Sequence, residues 1–117
     1  MKQYSFEKLV VWQESRVLVK SIYTITCKFP KEEIFGITSQ MRRAAISISS
    51  NIAEGSGRTT KPDQANFYGI AYSSLLELLN QLIISNDLAF INDSELIELR
   101  EIIDSIAFKL SSLRNSL

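Results

Sequence analysis

The sequence predicts an all-α protein, an up-down-up-down four-helix bundle that forms one domain over residues 1–117. Three observations predict it. Apolar residues recur at spacings of three and four through most of the chain, the period of helices that bury one face. Start and stop signals divide that pattern into four stretches with short connections, which favours antiparallel neighbours. No segment alternates as a strand does, and 117 residues suit one core rather than two.

In the first helix Val11, Ser15, Leu18, Ile22, Ile25 and Phe29 carry the core-facing stripe. Pro30 ends it, because proline disfavours helix in the residue before it. Residues 31–36 are a connection. The second helix starts near Ile37 or Thr38, with Met41, Ala44, Ala45, Ile48 and Ile52 as its apolar face. Gly55 and Gly57 are expected to close it in left-handed backbone positions. Thr60-Lys61-Pro62-Asp63 has the marks of a helix start, a Thr cap with proline in the first turn and an acid three residues after the cap. That helix runs to about Leu88. Asn92 and Glu95 form a capping-box pair. Beyond them Leu96, Leu99, Ile103, Ile106, Leu110, Leu113 and Leu117 repeat every three and four residues, the seam of near-parallel bundle packing.

The third helix is unusual. Between Gln64 and Asn86 its only charged residue is Glu77. Leu75, Leu79 and Leu82 share one face, yet Leu76, Ile83 and Ile84 lie elsewhere on the wheel. A helix apolar all round is buried all round, and three sibling helices cover only part of it. Leaving the other aliphatics in water forgoes roughly 1.5–3 kcal/mol each, so a second subunit is the expected cover. Glu77, Asn80 and Gln81 in mid-helix argue against a membrane span.

The second helix carries a polar stripe. Gln40, Arg43, Ser47, Asn51 and Glu54 follow spacings of three and four and share one flank. Two explanations compete. In the first, Arg43 and Glu54 belong to a buried polar seam with Glu77 as a charge partner across the bundle, since a buried carboxylate needs one. In the second, Arg42, Arg43, Arg58 and Lys61 form a patch for an anion or a nucleic-acid backbone. Arg42 points about 100° away from Arg43, so the two arginines need not share a task.

Composition excludes several chemistries. With no histidine, the histidine triads, His-containing zinc sites and the Glu-x-x-His di-iron pattern cannot be built. The single Cys27 forms no intramolecular disulfide and fits a reducing, cytoplasmic compartment. It is expected to be a small packing residue near a helix end. Trp12 and Tyr23 are expected in the core or an interface. The N-terminus lacks the layout of a signal peptide. Gly-Ser-Gly-Arg at 55–58 lacks the ending and the preceding strand of a phosphate loop. Glu54 and Glu77 have no third group with which to make an acid–base site. Lys plus Arg and Asp plus Glu are both 13, which weakens a case for tight non-specific nucleic-acid binding. The charge is uneven, however. Residues 1–60 hold nine Lys/Arg against five Asp/Glu, and residues 61–117 hold four against eight, so the halves carry +4 and −4. Such asymmetry suits a local basic patch or charge-complementary subunit contacts.

A set of motifs carries a family resemblance: Phe6, Leu9 and Val11-Trp12-Gln13; Phe29-Pro30; Gln40, Arg42-Arg43-Ala44 and Ser47-Ile48; Asn51-Ile52-Ala53-Glu54-Gly55; then Phe67, Ala71, Ser74 and Glu77. In this order and spacing they resemble the bacterial 23S rRNA intervening-sequence family of four-helix bundle proteins. The resemblance implies homopentamers, often encoded within insertions in large-subunit ribosomal RNA genes, and no enzyme activity. It also implies kinship with an accessory protein of diversity-generating retroelements, which binds nucleic acid and a reverse transcriptase through a basic surface. This chain departs from that relative in having no net positive charge.

The expectation is a non-catalytic, pentameric bundle acting as an assembly or interaction module, with RNA or a nucleic-acid-processing protein as candidate partners. No cofactor, metal, small-molecule substrate or membrane enters it. The alternative is direct RNA or DNA binding through Arg42, Arg58, Lys61 and nearby lysines.

Overall fold

A computed structural model describes all of residues 1–117. Four helices run α1 (Val10–Thr26), α2 (Ile37–Ser56), α3 (Lys61–Asp87) and α4 (Asp93–Asn115), with short 3-10 turns at Ser5–Lys8 and Lys31–Glu33. Each helix packs on the two that flank it in the order α1, α2, α3, α4 and back to α1, and diagonal pairs do not meet. The principal extents are 43 × 28 × 21 Å. The long axis matches α3, whose 27 residues span about 40 Å at the helical rise.

The core is built from the predicted stripes. Leu18, Ile22, Met41, Ile48, Ile52, Leu75, Leu78, Leu82, Ile106 and Leu110 are fully buried. The α2–α3 pairing is the most extensive. Small residues allow it: Ala44, Ala45 and Ala71 are buried there, and the hydroxyls of Ser47 and Ser74 meet at 2.9 Å. Thr60 Oγ1 accepts from the Asp63 N–H at 3.2 Å, and Pro62 lies in the first turn of α3, as the sequence predicts. The Asn92–Glu95 capping box is present in both directions, at 2.8 and 3.0 Å.

The end of α2 differs from expectation. Gly55 lies inside the last turn, Gly57 caps it at φ −92°, and no glycine has positive φ. The turn tightens instead through Gly57 N–H to Glu54 C=O and Arg58 N–H to Gly55 C=O. Gly55 is required for space. A Cβ there would lie 2.8 Å from Tyr68 Cε1 and 3.0 Å from Phe67 Cβ. The left-handed position in the chain is Ala89, at φ 61°. It closes α3 with the two hydrogen bonds of a Schellman motif, Phe90 N–H to Ser85 C=O and Ala89 N–H to Asn86 C=O. Phe90 then packs on Phe29 with ring centroids 5.3 Å apart, joining the α3–α4 turn to the end of α1.

Candidate functional site

The polar stripe of α2 does not form one buried seam. Gln40, Arg43, Glu54 and, on α3, Glu77 are exposed, and none of Arg43, Glu54 or Glu77 makes an ion pair within the chain. Only Ser47 and Asn51 are drawn partly inside. Asn51 Nδ2 donates to the Ser47 carbonyl at 2.8 Å and to its hydroxyl at 3.1 Å, and Ser47 meets Ser74. Where α2 and α3 lie close, short hydroxyls fit between them, and the long charged side chains turn outward to water. Gln40, Arg43 and Glu77 do line one shallow groove between α2 and α3, together with Asn80, Gln81 and Ile84. Glu54 is outside it.

Arg42 is committed within the chain. Its Nε donates to Thr26 Oγ1 at 2.9 Å, and its guanidinium carbon lies 4.7 Å from the Tyr23 ring centroid. A second guanidinium nitrogen is 3.8 Å from Cys27 Sγ. A cation at the C-terminus of α1 is well placed against the helix dipole. Arg42 is thus a half-buried clamp between α2 and the end of α1, not a free surface cation. Cys27 sits at that helix end but is exposed rather than packed. Trp12 is half-buried edge-on to Phe6, with ring centroids 5.0 Å apart, and Tyr23 is exposed.

Arg58 and Lys61 are exposed at the α2–α3 turn. Arg58 stacks over Phe67, 4.5 Å from its ring centroid. Lys61 occupies the first turn of α3, the positive end of the helix dipole, where a cation is disfavoured. Asp63 partly offsets it. No group of three or more Cys, Asp or Glu side chains gathers in a form that could hold a metal ion.

Two apolar surfaces stand out. On α3, Ile70, Leu76, Ile83 and Ile84 are exposed, Leu76 to 52%. Gly69 and Ser73 lie among them, and the Arg114 guanidinium crosses Gly69. α3 is the one helix long and apolar enough to cross a membrane, by length and composition alone. One face of it nevertheless packs in the bundle core. The second surface is a groove between α1 and α2, where Tyr23, Ile34, Phe35, Arg42, Arg43 and Ile46 meet. Phe35 is 95% exposed. The Ile34-Phe35 pair falls outside the helical periodicity and so escapes a reading by stripes. Its signal was two large apolar residues in a short connection that needs none for a core.

The polar side chains of these grooves include the only two buried, unpartnered side-chain atoms of the chain. Thr38 Oγ1 belongs to a residue of the α1–α2 groove and Gln81 Oε1 to one of the α2–α3 groove.

No curated protein matches the chain. Among solved structures it is similar to a protein of unknown function from the S23 ribosomal protein family of Bacteroides thetaiotaomicron VPI-5482, with TM-score 0.81 and 21% identity over 90% of this chain and 98% of that one. At that identity the likeness speaks to the fold. The profile of the 23S rRNA-intervening sequence protein family matches residues 7–112, nearly the whole bundle. The chain therefore belongs to the 23S rRNA-intervening sequence protein family.

Proposed function

We propose that the protein is a non-catalytic homo-oligomer, a pentameric assembly or interaction module of the cytoplasm. The observation that carries this is the outer face of α3, where Ile70, Leu76, Ile83 and Ile84 are exposed and Glu77 is the one charge between Asp63 and Asp87. Large aliphatics left exposed along one face of a small chain mark an interaction surface. Another copy of the chain supplies the cover, in keeping with what the family resemblance implies. A bilayer does not, because Asn80 and Glu77 stand exposed in mid-helix. Light scattering on the purified protein tests this. The expected mass is a multiple of the 13.3 kDa chain, five-fold for the pentamer. A monodisperse monomer at micromolar concentration would sink the proposal.

A second function, direct binding of RNA or DNA, draws support from Arg58 and Lys61 beside the α3 N-terminus, where side-chain and helix-dipole charge are both positive. Arg42 no longer contributes to it, being held by Thr26 and Tyr23. The same patch would also suit a nucleic-acid-processing partner, as the resemblance noted in the sequence implies. Titrating labelled RNA at low and at physiological salt decides the direct case. Phosphate contacts are strongest at low salt, so no binding there removes it.

A further inference from the structure

The α3 face needs a surface to meet, and the chain carries one of matching character. The α1–α2 groove offers Tyr23, Ile34, Phe35 and Ile46 as apolar groups, with the exposed Arg43 as its free charge beside the clamped Arg42 and no acid among its lining residues. The α3 face offers Ile70, Leu76, Ile83 and Ile84, with Glu77 and Asp87 as exposed acids on the same helix. The same complementarity holds at the scale of the halves, +4 over residues 1–60 and −4 over residues 61–117. We infer that the α3 outer face of one copy docks in the α1–α2 groove of the next, a head-to-tail contact between copies of this chain. This rests on the assembly proposed above and specifies its two surfaces.

Three points favour the pairing. Apolar groups meet apolar groups, and acids meet Arg43, which fixes orientation as well as attraction. A two-fold contact of α3 against itself would bring acidic faces together, with Arg43 beside Glu77 and Arg114 at the Gly69 end as the only bases bordering them. The two surfaces also lie on different sides of the bundle, so the contact is heterologous, the type that makes a ring where its rotation closes.

Cross-linking between introduced cysteines tests the facing surfaces. In a Cys27→Ser background, Ile46→Cys, Leu76→Cys and their combination are treated with a short bis-maleimide, while light scattering records the mass of each. The head-to-tail contact predicts a ladder of covalent multimers from the double variant and only background from either single variant. Dimers from Leu76→Cys alone would establish α3 against α3 and overturn the inference while leaving assembly intact. So would an assembled double variant that yields no cross-linked species. A monomeric mass for the unsubstituted protein would overturn both the inference and the assembly on which it rests.

Discussion

At the scale of single residues, backbone conformation and space divide the small residues into three cases. Ala89 holds φ 61° at the close of α3, where a Cβ is strained and glycine is not. Ala89→Gly is expected to stabilise the fold by about 1 kcal/mol, read by urea denaturation. An unchanged or lowered midpoint would show that the left-handed position is relaxed. Gly55 and Gly69 make an opposed pair. Alanine at either gains up to about 1 kcal/mol of helix propensity. At Gly55 it also presses on the buried Tyr68 ring and on Phe67, an overpacking of about 1–3 kcal/mol. At Gly69 it meets only the movable end of Arg114, at 3.3 Å. In the separated chain Gly55→Ala should therefore lower stability and Gly69→Ala should raise it. The sequence marked Gly55 as a special position but assigned the wrong reason. A glycine near a helix end signals a turn, whereas the crowding comes from Tyr68, thirteen residues later on the next helix.

At the scale of elements, the helices and their starts were legible because they depend on local chemistry. Thr60, Pro62 and Asp63 announce α3, and Asn92 with Glu95 announces α4, within a few residues of chain. Arg43, Glu54 and Glu77 were misplaced because their surroundings depend on how far α2 and α3 stand apart, which Ser47 and Ser74 set across the bundle. Glu77→Ala, expected from the sequence to be costly, should change the stability of the separated chain by no more than about 0.5 kcal/mol, since the carboxylate is exposed and unpaired. Glu95 is the better electrostatic test. Its carboxyl is held below its ordinary value of 4.5, first by the Asn92 backbone N–H and then by Lys28, whose ammonium lies 2.9 Å away. A depressed carboxyl stabilises the fold above its unfolded value, and that contribution disappears as pH falls through the folded value. Glu95→Gln keeps a capping oxygen but removes the charge. It should cost roughly 0.5–1 kcal/mol at pH 7 and progressively less toward pH 3. A difference independent of pH would assign the effect to the hydrogen bond alone.

At the scale of the whole molecule, magnitudes decide what kind of surface α3 must meet. Ile70, Leu76, Ile83 and Ile84 are each about half exposed, so covering them returns roughly 1 kcal/mol apiece. Four such side chains lie at the bottom of the association cost of about 4–15 kcal/mol. A polar partner surface would leave no surplus, whereas an apolar one that also buries Phe35 and Ile34 adds a comparable amount. Stability should accordingly be linked to concentration, because a partner that binds only the folded chain stabilises it by mass action. The thermal midpoint of the unsubstituted protein is expected to rise as concentration is raised through the micromolar range. Leu76→Glu combined with Ile84→Glu places charge in the contact without touching the core, since both side chains lie outside the buried set. That variant should keep its helical circular dichroism, scatter light as a single 13.3 kDa chain and lose the concentration dependence. Retained mass in the variant would mean that α3 is not the assembly surface. Lost helicity would mean that these aliphatics belong to the fold, because a face serving only association can be charged without unfolding the helix beneath it.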